Sequence, residues 1–107
     1  MTYRRSTFVL AGLFAAILAG PVFSADTDTV NIQNFAFSPV PLTVSAGTTV
    51  TWKNLDGEPH TVVSQQGLFH SDGLDQNDSF TFKFDKPGTY GFICSIHPTM
   101  HGTIIVK

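Results

Sequence analysis

Ser79–Cys94 reads SFTFKFDKPGTYGFIC. Phe80, Phe82 and Phe84 alternate with Thr81 and Lys83, and after Lys86-Pro87-Gly88 the alternation resumes with Tyr90, Phe92 and Cys94. A period of two puts one set of side chains on an inward face and the other in water, which is the pattern of half-buried strands, and the Pro-Gly pair marks the turn between them. Cys94 is in phase with Tyr90 and Phe92. Its thiol therefore points inward at the end of its strand.

The same alternation runs outward in both directions. Val30 and Ile32, Leu42 and Val44, Val50 and Trp52, and Ile104 and Val106 each sit two apart. Turn signals separate them at Ser45-Ala46-Gly47, Asp56-Gly57, Gln65-Gln66-Gly67 and Asp75-Gln76-Asn77-Asp78. After Ala25 no stretch carries apolar residues at helical spacing for more than a turn. About seven short strands at this spacing predict an all-β fold, a two-sheet antiparallel sandwich.

At the other end, Arg4 and Arg5 precede the apolar run FVLAGLFAAILAG, Phe8–Gly20, followed by Pro21 and small residues around Ser24. The run is too short to span a bilayer comfortably and reads as a signal peptide, residues 1–24, cleaved after Ser24. Thr7 stands where a twin-arginine signal wants an apolar residue, which favours the ordinary export route. The expectation is a periplasmic protein with no membrane anchor in its mature form. Residues 25–107 then make one small domain with one core.

That domain carries four lysines against eight carboxylates, a net charge of about −4, which argues against nucleic acid or an anionic membrane as partner. Cys94 is the sole cysteine of the chain, so no internal disulfide staples the fold. An exported lone thiol needs burial or a metal.

The stretch ICSIHPTMHG, Ile93–Gly102, supplies a reason for it. Cys94, His97 and Met100 are spaced by three, so a tight loop can fold back and bring them to one point. Thiolate, imidazole and thioether form a soft donor set that suits copper in both of its common oxidation states. A second histidine has to come from elsewhere. His60, in GEPHTVV, is the best placed, at the expected start of a strand with Val62 on the same face. Each residue alone has an ordinary reading, since a buried Cys is usually packing and a Met filler. Jointly they read as a metal site. His70, in the polar turn LFHSDG, and His101, sent the other way by strand parity, are read as non-ligands.

VTWKNLDGEPHTVV (Val50–Val63) and KPGTYGFICSIHPTMHGTIIVK (Lys86–Lys107) resemble the cupredoxins, small blue copper proteins of the amicyanin, pseudoazurin and plastocyanin group. The likeness covers essentially the whole domain, and the short Cys94, His97, Met100 spacing with Pro98 after the histidine is most like amicyanin. The resemblance implies a Greek-key sandwich holding one type 1 copper, with His60, Cys94 and His97 near a plane and Met100 as a long axial ligand. It also implies a one-electron carrier, not an enzyme, that is monomeric and meets donor and acceptor proteins near His97 and Pro98. Asp56 and Glu58 would supply charge for steering. Two departures stand out. Thr61 follows the first histidine where Asn is common, and Ile96 stands where proline is common between Cys and His.

Three other readings compete. A copper-trafficking protein would favour an exposed, Met-rich or His-rich site. A Cys-His hydrolase would need an accessible nucleophile and an orienting third residue. A metal-free adhesion sandwich would make the clustered donors a coincidence.

Overall fold

The computed structural model describes residues 26–107, so the export segment expected over residues 1–24 lies outside the described residues. Strands are the regular elements here: β1 (Thr27–Gln33), β2 (Ala36–Ser38), β3 (Leu42–Val44), β4 (Thr48–Asn54), β5 (Val63–Ser64), β6 (Ser79–Phe84), β7 (Gly88–Ile93) and β8 (His101–Val106). They form two four-stranded sheets, ordered β2-β1-β4-β6 and β3-β8-β7-β5. The sandwich read from the alternation is present, but its sheets are mixed. β1 runs parallel to β4, and β3 parallel to β8. The cause is the path of the chain. After the β1–β2 hairpin it crosses to the second sheet as β3 and returns as β4 beside β1, and a strand arriving by a crossover can lie parallel to its neighbour.

Inward-facing residues of both sheets meet in one core. Val30, Ile32, Val50, Trp52 and Phe84 come from the first sheet, and Val44, Phe92, Ile104 and Val106 from the second. Trp52 sits at its centre, with its ring 5.3 Å from that of Phe92 and 5.5 Å from that of Phe69. Phe80 and Phe82, on the edge strand β6, are partly buried, while Phe84 at its end is fully inside the core. Phe69, from the loop after β5, covers that edge, with its ring 4.7 Å from that of Phe82. Burying such rings stabilises the fold by roughly 1.5–3 kcal/mol each.

The register of the second sheet builds the platform for the site. β7 and β8 form a hairpin in which Ile93 faces His101 and Phe92 faces Gly102, so residues 94–100 are its connecting loop. A side chain is excluded at Gly102, where a Cβ would lie 2.6 Å from both the Phe92 ring and Val40 Cγ1. β5 pairs with β7 through Val63–Ile93 and Ser64–Phe92. Two steps further along the same antiparallel register, Thr61 comes opposite Ser95.

Candidate metal centre

His60 lies in a loop, not on a strand as the sequence suggested. β5 begins three residues later, and an isolated pairing with Leu74 holds His60 instead. Its N–H donates to the Leu74 carbonyl at 3.1 Å and its carbonyl accepts the Leu74 N–H at 2.7 Å. Asn54, fully buried at the end of β4, shapes the approach to it. The Asn54 amide donates to the carbonyls of Glu58 (2.9 Å) and Leu74 (2.8 Å), and its Oδ1 accepts the Asp56 N–H at 2.9 Å. That last bond is an Asx turn, so the Asn-Leu-Asp-Gly string carried a legible signal for this residue.

The His60 ring is buried and used at both nitrogens. Nε2 lies 2.9 Å from Asp56 Oδ2, and since a carboxylate can accept but not donate, Nε2 carries the proton. Nδ1 then faces inward, 3.8 Å from Cys94 Sγ. Asp56 also accepts the N–H groups of Asn34 and Phe35, at 2.7 and 3.0 Å. Burial raises the Asp56 pKa, but the Phe35 N–H, His60 and the Asn34 N–H outweigh it and hold the carboxyl below its usual range. Asp56 thus has a structural part besides the steering charge read for it from sequence, and Glu58 is the more exposed carboxylate of that loop.

Cys94 is fully buried one residue past β7, as the alternation required. Its N–H donates to the Met100 carbonyl at 3.1 Å, and the Met100 N–H donates to the His97 carbonyl at 2.8 Å, which folds the seven-residue loop back on itself. His97 is half-buried, with Nδ1 3.8 Å from Cys94 Sγ. One ligand atom from each of His60, Cys94 and His97 lies within 4.8 Å of the others. Met100 is buried in the same core cluster as Cys94.

Around the sulfur, Thr61 is the main donor. Its N–H points at Sγ from 3.4 Å, and its hydroxyl oxygen lies 3.8 Å away. Burial pushes the Cys94 thiol up, but the Thr61 N–H, the His60 and His97 rings and the His97 N–H bring it down to about 6. The thiolate is thus accessible near neutral pH. It is not accessible to a substrate, because Cys94 has no exposed surface.

His70 and His101 stand apart, both exposed, as expected. His70 Nδ1 lies 2.9 Å from the Ser71 carbonyl, and His101 opens β8. Phe35, Asn54, Leu74 and Ser95 were not singled out by spacing or alternation. Phe35 sits edge-on to both imidazole rings.

The donor set fits a soft metal: one thiolate-forming sulfur and two imidazoles with Nδ1 turned toward it. Residues 7–106 match the family model described as a cupredoxin-like domain. The chain belongs to the cupredoxin family. Amicyanin-alpha of Methylorubrum extorquens is 32% identical over 102 residues, covering 91% of this chain and 83% of that protein. Plastocyanin of Scenedesmus fuscus is 39% identical over 84 residues, covering 66% of this cupredoxin and 86% of the relative. Among solved structures, a novel purple cupredoxin from Nitrosopumilus maritimus aligns with a TM-score of 0.69 at 33% identity, over 75% of this chain and 99% of that one. The cofactor of this cupredoxin is copper.

Proposed function

We propose that His60, Cys94, His97 and Met100 hold one type 1 copper ion and that the chain is a periplasmic one-electron carrier between two redox proteins. The observation that carries this reading is the buried Cys94 sulfur, faced by Nδ1 of His60 and of His97 at 3.8 Å each. Copper bound there would supply a Cu(II)/Cu(I) couple. Cys94 contributes the anionic soft donor, already lowered to about 6 by its neighbours. Four protein donors leave no open position for a substrate, whereas catalytic metals keep one, so the carrier role is preferred to an enzymatic one.

His97 joins the interior to the surface, and the residues beside it are suited to brief docking. Pro98 and Thr99 follow it, Ile96 precedes it, and Pro59 adjoins His60; all four are exposed. A small, mostly uncharged contact lets a partner approach closely and leave quickly. The carrier is read as a monomer that uses this face for donor and acceptor in turn.

The test is optical. Purified protein loaded with Cu(II) is expected to show an intense visible band that bleaches on reduction and returns on reoxidation. Cys94→Ser should lose the band while the sandwich stays folded. A colourless complex that passes its ion readily to chelators would favour metal trafficking and defeat the carrier reading.

A further inference from the structure

The hairpin between β1 and β2 turns on two residues, Asn34 and Phe35, with Gln33 paired to Ala36. Both have positive φ, 55° and 56°. Asparagine tolerates this left-handed region, but a bulky aromatic does so at a steric cost, and the second position of such a turn is normally glycine. Phe35 is not compensated by burial, since it remains 50% exposed. What the turn achieves is placement. The Phe35 ring stands 5.3 Å from the His60 ring at 89° and 5.0 Å from the His97 ring at 85°, while the two imidazoles are 5.0 Å from each other. The three rings mark a nearly equilateral triangle.

Asp56 closes the arrangement from behind. Its Oδ1 accepts the Asn34 N–H, and its Oδ2 serves both the Phe35 N–H and His60 Nε2. One carboxylate therefore fixes the strained turn and the outer nitrogen of a donor histidine together. Strain retained at a functional site, held by contacts that serve that site, is a reason to look for a role.

We infer that Phe35 and Asp56 are positioning residues that form a brace: Asp56 ties the hairpin tip to His60, and the Phe35 ring holds both imidazoles turned toward Cys94 before any metal arrives. The inference rests on the reading of His60, Cys94 and His97 as metal donors and extends it to what keeps them in place. Ordering the donors in advance removes part of the conformational cost of binding and slows the swing of a donor away from the ion.

The experiment has a metal-free arm and a loaded arm. In the metal-free protein, nitrogen-15 NMR of the imidazoles is expected to resolve a slowly exchanging proton on His60 Nε2, held by Asp56. Asp56→Asn should speed its exchange with solvent. In the loaded arm, Zn(II) release to EDTA should be about tenfold faster in Phe35→Gly and Asp56→Asn, while Phe35→Tyr, which keeps the ring, stays at the wild-type rate. A ring that merely packed would lower the unfolding midpoint when removed. The brace predicts that Phe35→Gly holds or raises the midpoint, because glycine relieves the turn, and still loses Zn(II) faster. Should Phe35→Gly fail to fold, Phe35→Leu gives the same reading of the release rate. Wild-type release from the ring-less variants, or an unchanged exchange rate of the His60 Nε2 proton in Asp56→Asn, overturns the brace. A wild-type chain that gives no intense band with Cu(II) sinks the carrier reading instead, and the metal-free arm still judges the brace.

Discussion

Thr61 Oγ1 accepts the Ser95 N–H at 2.8 Å and lies 2.8 Å from the Ser95 hydroxyl, so one threonine side chain ties the His60 loop to the Cys94 loop. The tie continues the β5–β7 register past the last paired strand residues. It also fills the place that asparagine commonly takes in this family, with Ser95 as the complementary partner. Thr61→Val keeps the shape and removes the hydroxyl, leaving the Ser95 N–H without its acceptor. The expected loss is about 1–3 kcal/mol of stability, read from urea unfolding of the metal-free protein. Ser95→Ala leaves that N–H satisfied and should cost less than Thr61→Val. Equal losses in the two variants would show that the backbone bond is not the main element of the tie.

The Cys94 thiol gives the metal-free protein a pH-dependent stability. Its pKa is lowered from an ordinary 9.0 to about 6 in the folded chain. Between those values the unfolded chain holds more protons than the folded one, so stability rises with pH through the window and is lost as pH falls through about 6. Urea midpoints of the metal-free protein should therefore be higher at about pH 8.5 than at about pH 5.5. Cys94→Ser should flatten that difference. Asp56 also has a lowered pKa, but it acts in a separate, acidic window below its usual carboxyl value. A wild-type slope that survives in Cys94→Ser would assign the effect to another group.

Much of this architecture was legible because period-two alternation is a direct record of which face meets the core. Val30, Ile32, Val50, Trp52, Phe92 and Ile104 are all buried as that pattern required. The Cys-x-x-His-x-x-Met spacing was legible for a related reason, since a seven-residue hairpin loop leaves its side chains few places to go. The parallel pairings were not legible, because alternation records a face and not the direction of a neighbour. Nor was the Phe35–Asp56 contact, which joins residues 21 apart through backbone N–H groups that carry no residue-specific mark. His60 was read as a donor at the start of a strand, whereas it sits in a loop, because His-Thr-Val-Val has the composition of a strand while the Leu74 pairing decides its geometry.

Asn54 is predicted to be the most sensitive polar residue of the His60 loop. It is fully buried, and its side chain satisfies the Glu58 and Leu74 carbonyls and the Asp56 N–H at once. Asn54→Ala should cost about 2–4 kcal/mol, from lost packing and buried groups left unpaired. Copper affinity should fall with it, as titration against a competing chelator would record. A variant that loses stability but binds copper as tightly as the wild type would separate this loop from the site.

Met100 is buried beside Cys94 in the core cluster, and its thioether is the proposed weak axial donor. Met100→Leu preserves volume and removes the sulfur, so copper should stay bound at a higher reduction potential. Met100→Gln supplies an oxygen that favours the oxidised ion and should lower the potential. Voltammetry that finds no shift in either variant would make Met100 a packing residue.

The docking face is tested most cleanly at Thr99. It is exposed on the loop beside His97, and it lacks the conformational stiffness that makes Pro98 ambiguous. A carboxylate there would have to be desolvated as a partner closes over His97, and an unpaired charge at the centre of a small contact is unfavourable. Thr99→Asp should therefore lower the second-order rate of electron exchange with a redox partner while the visible band is unchanged. Glu58→Gln addresses steering, because Glu58 is exposed and the neighbouring Asp56 is committed to His60 and the Phe35 turn. Against a basic partner, Glu58→Gln should reduce the salt dependence of the rate without changing the high-salt limit. Stopped-flow rates equal to wild type in Thr99→Asp, with the band intact, would move the docking surface away from His97 and break its link to electron entry.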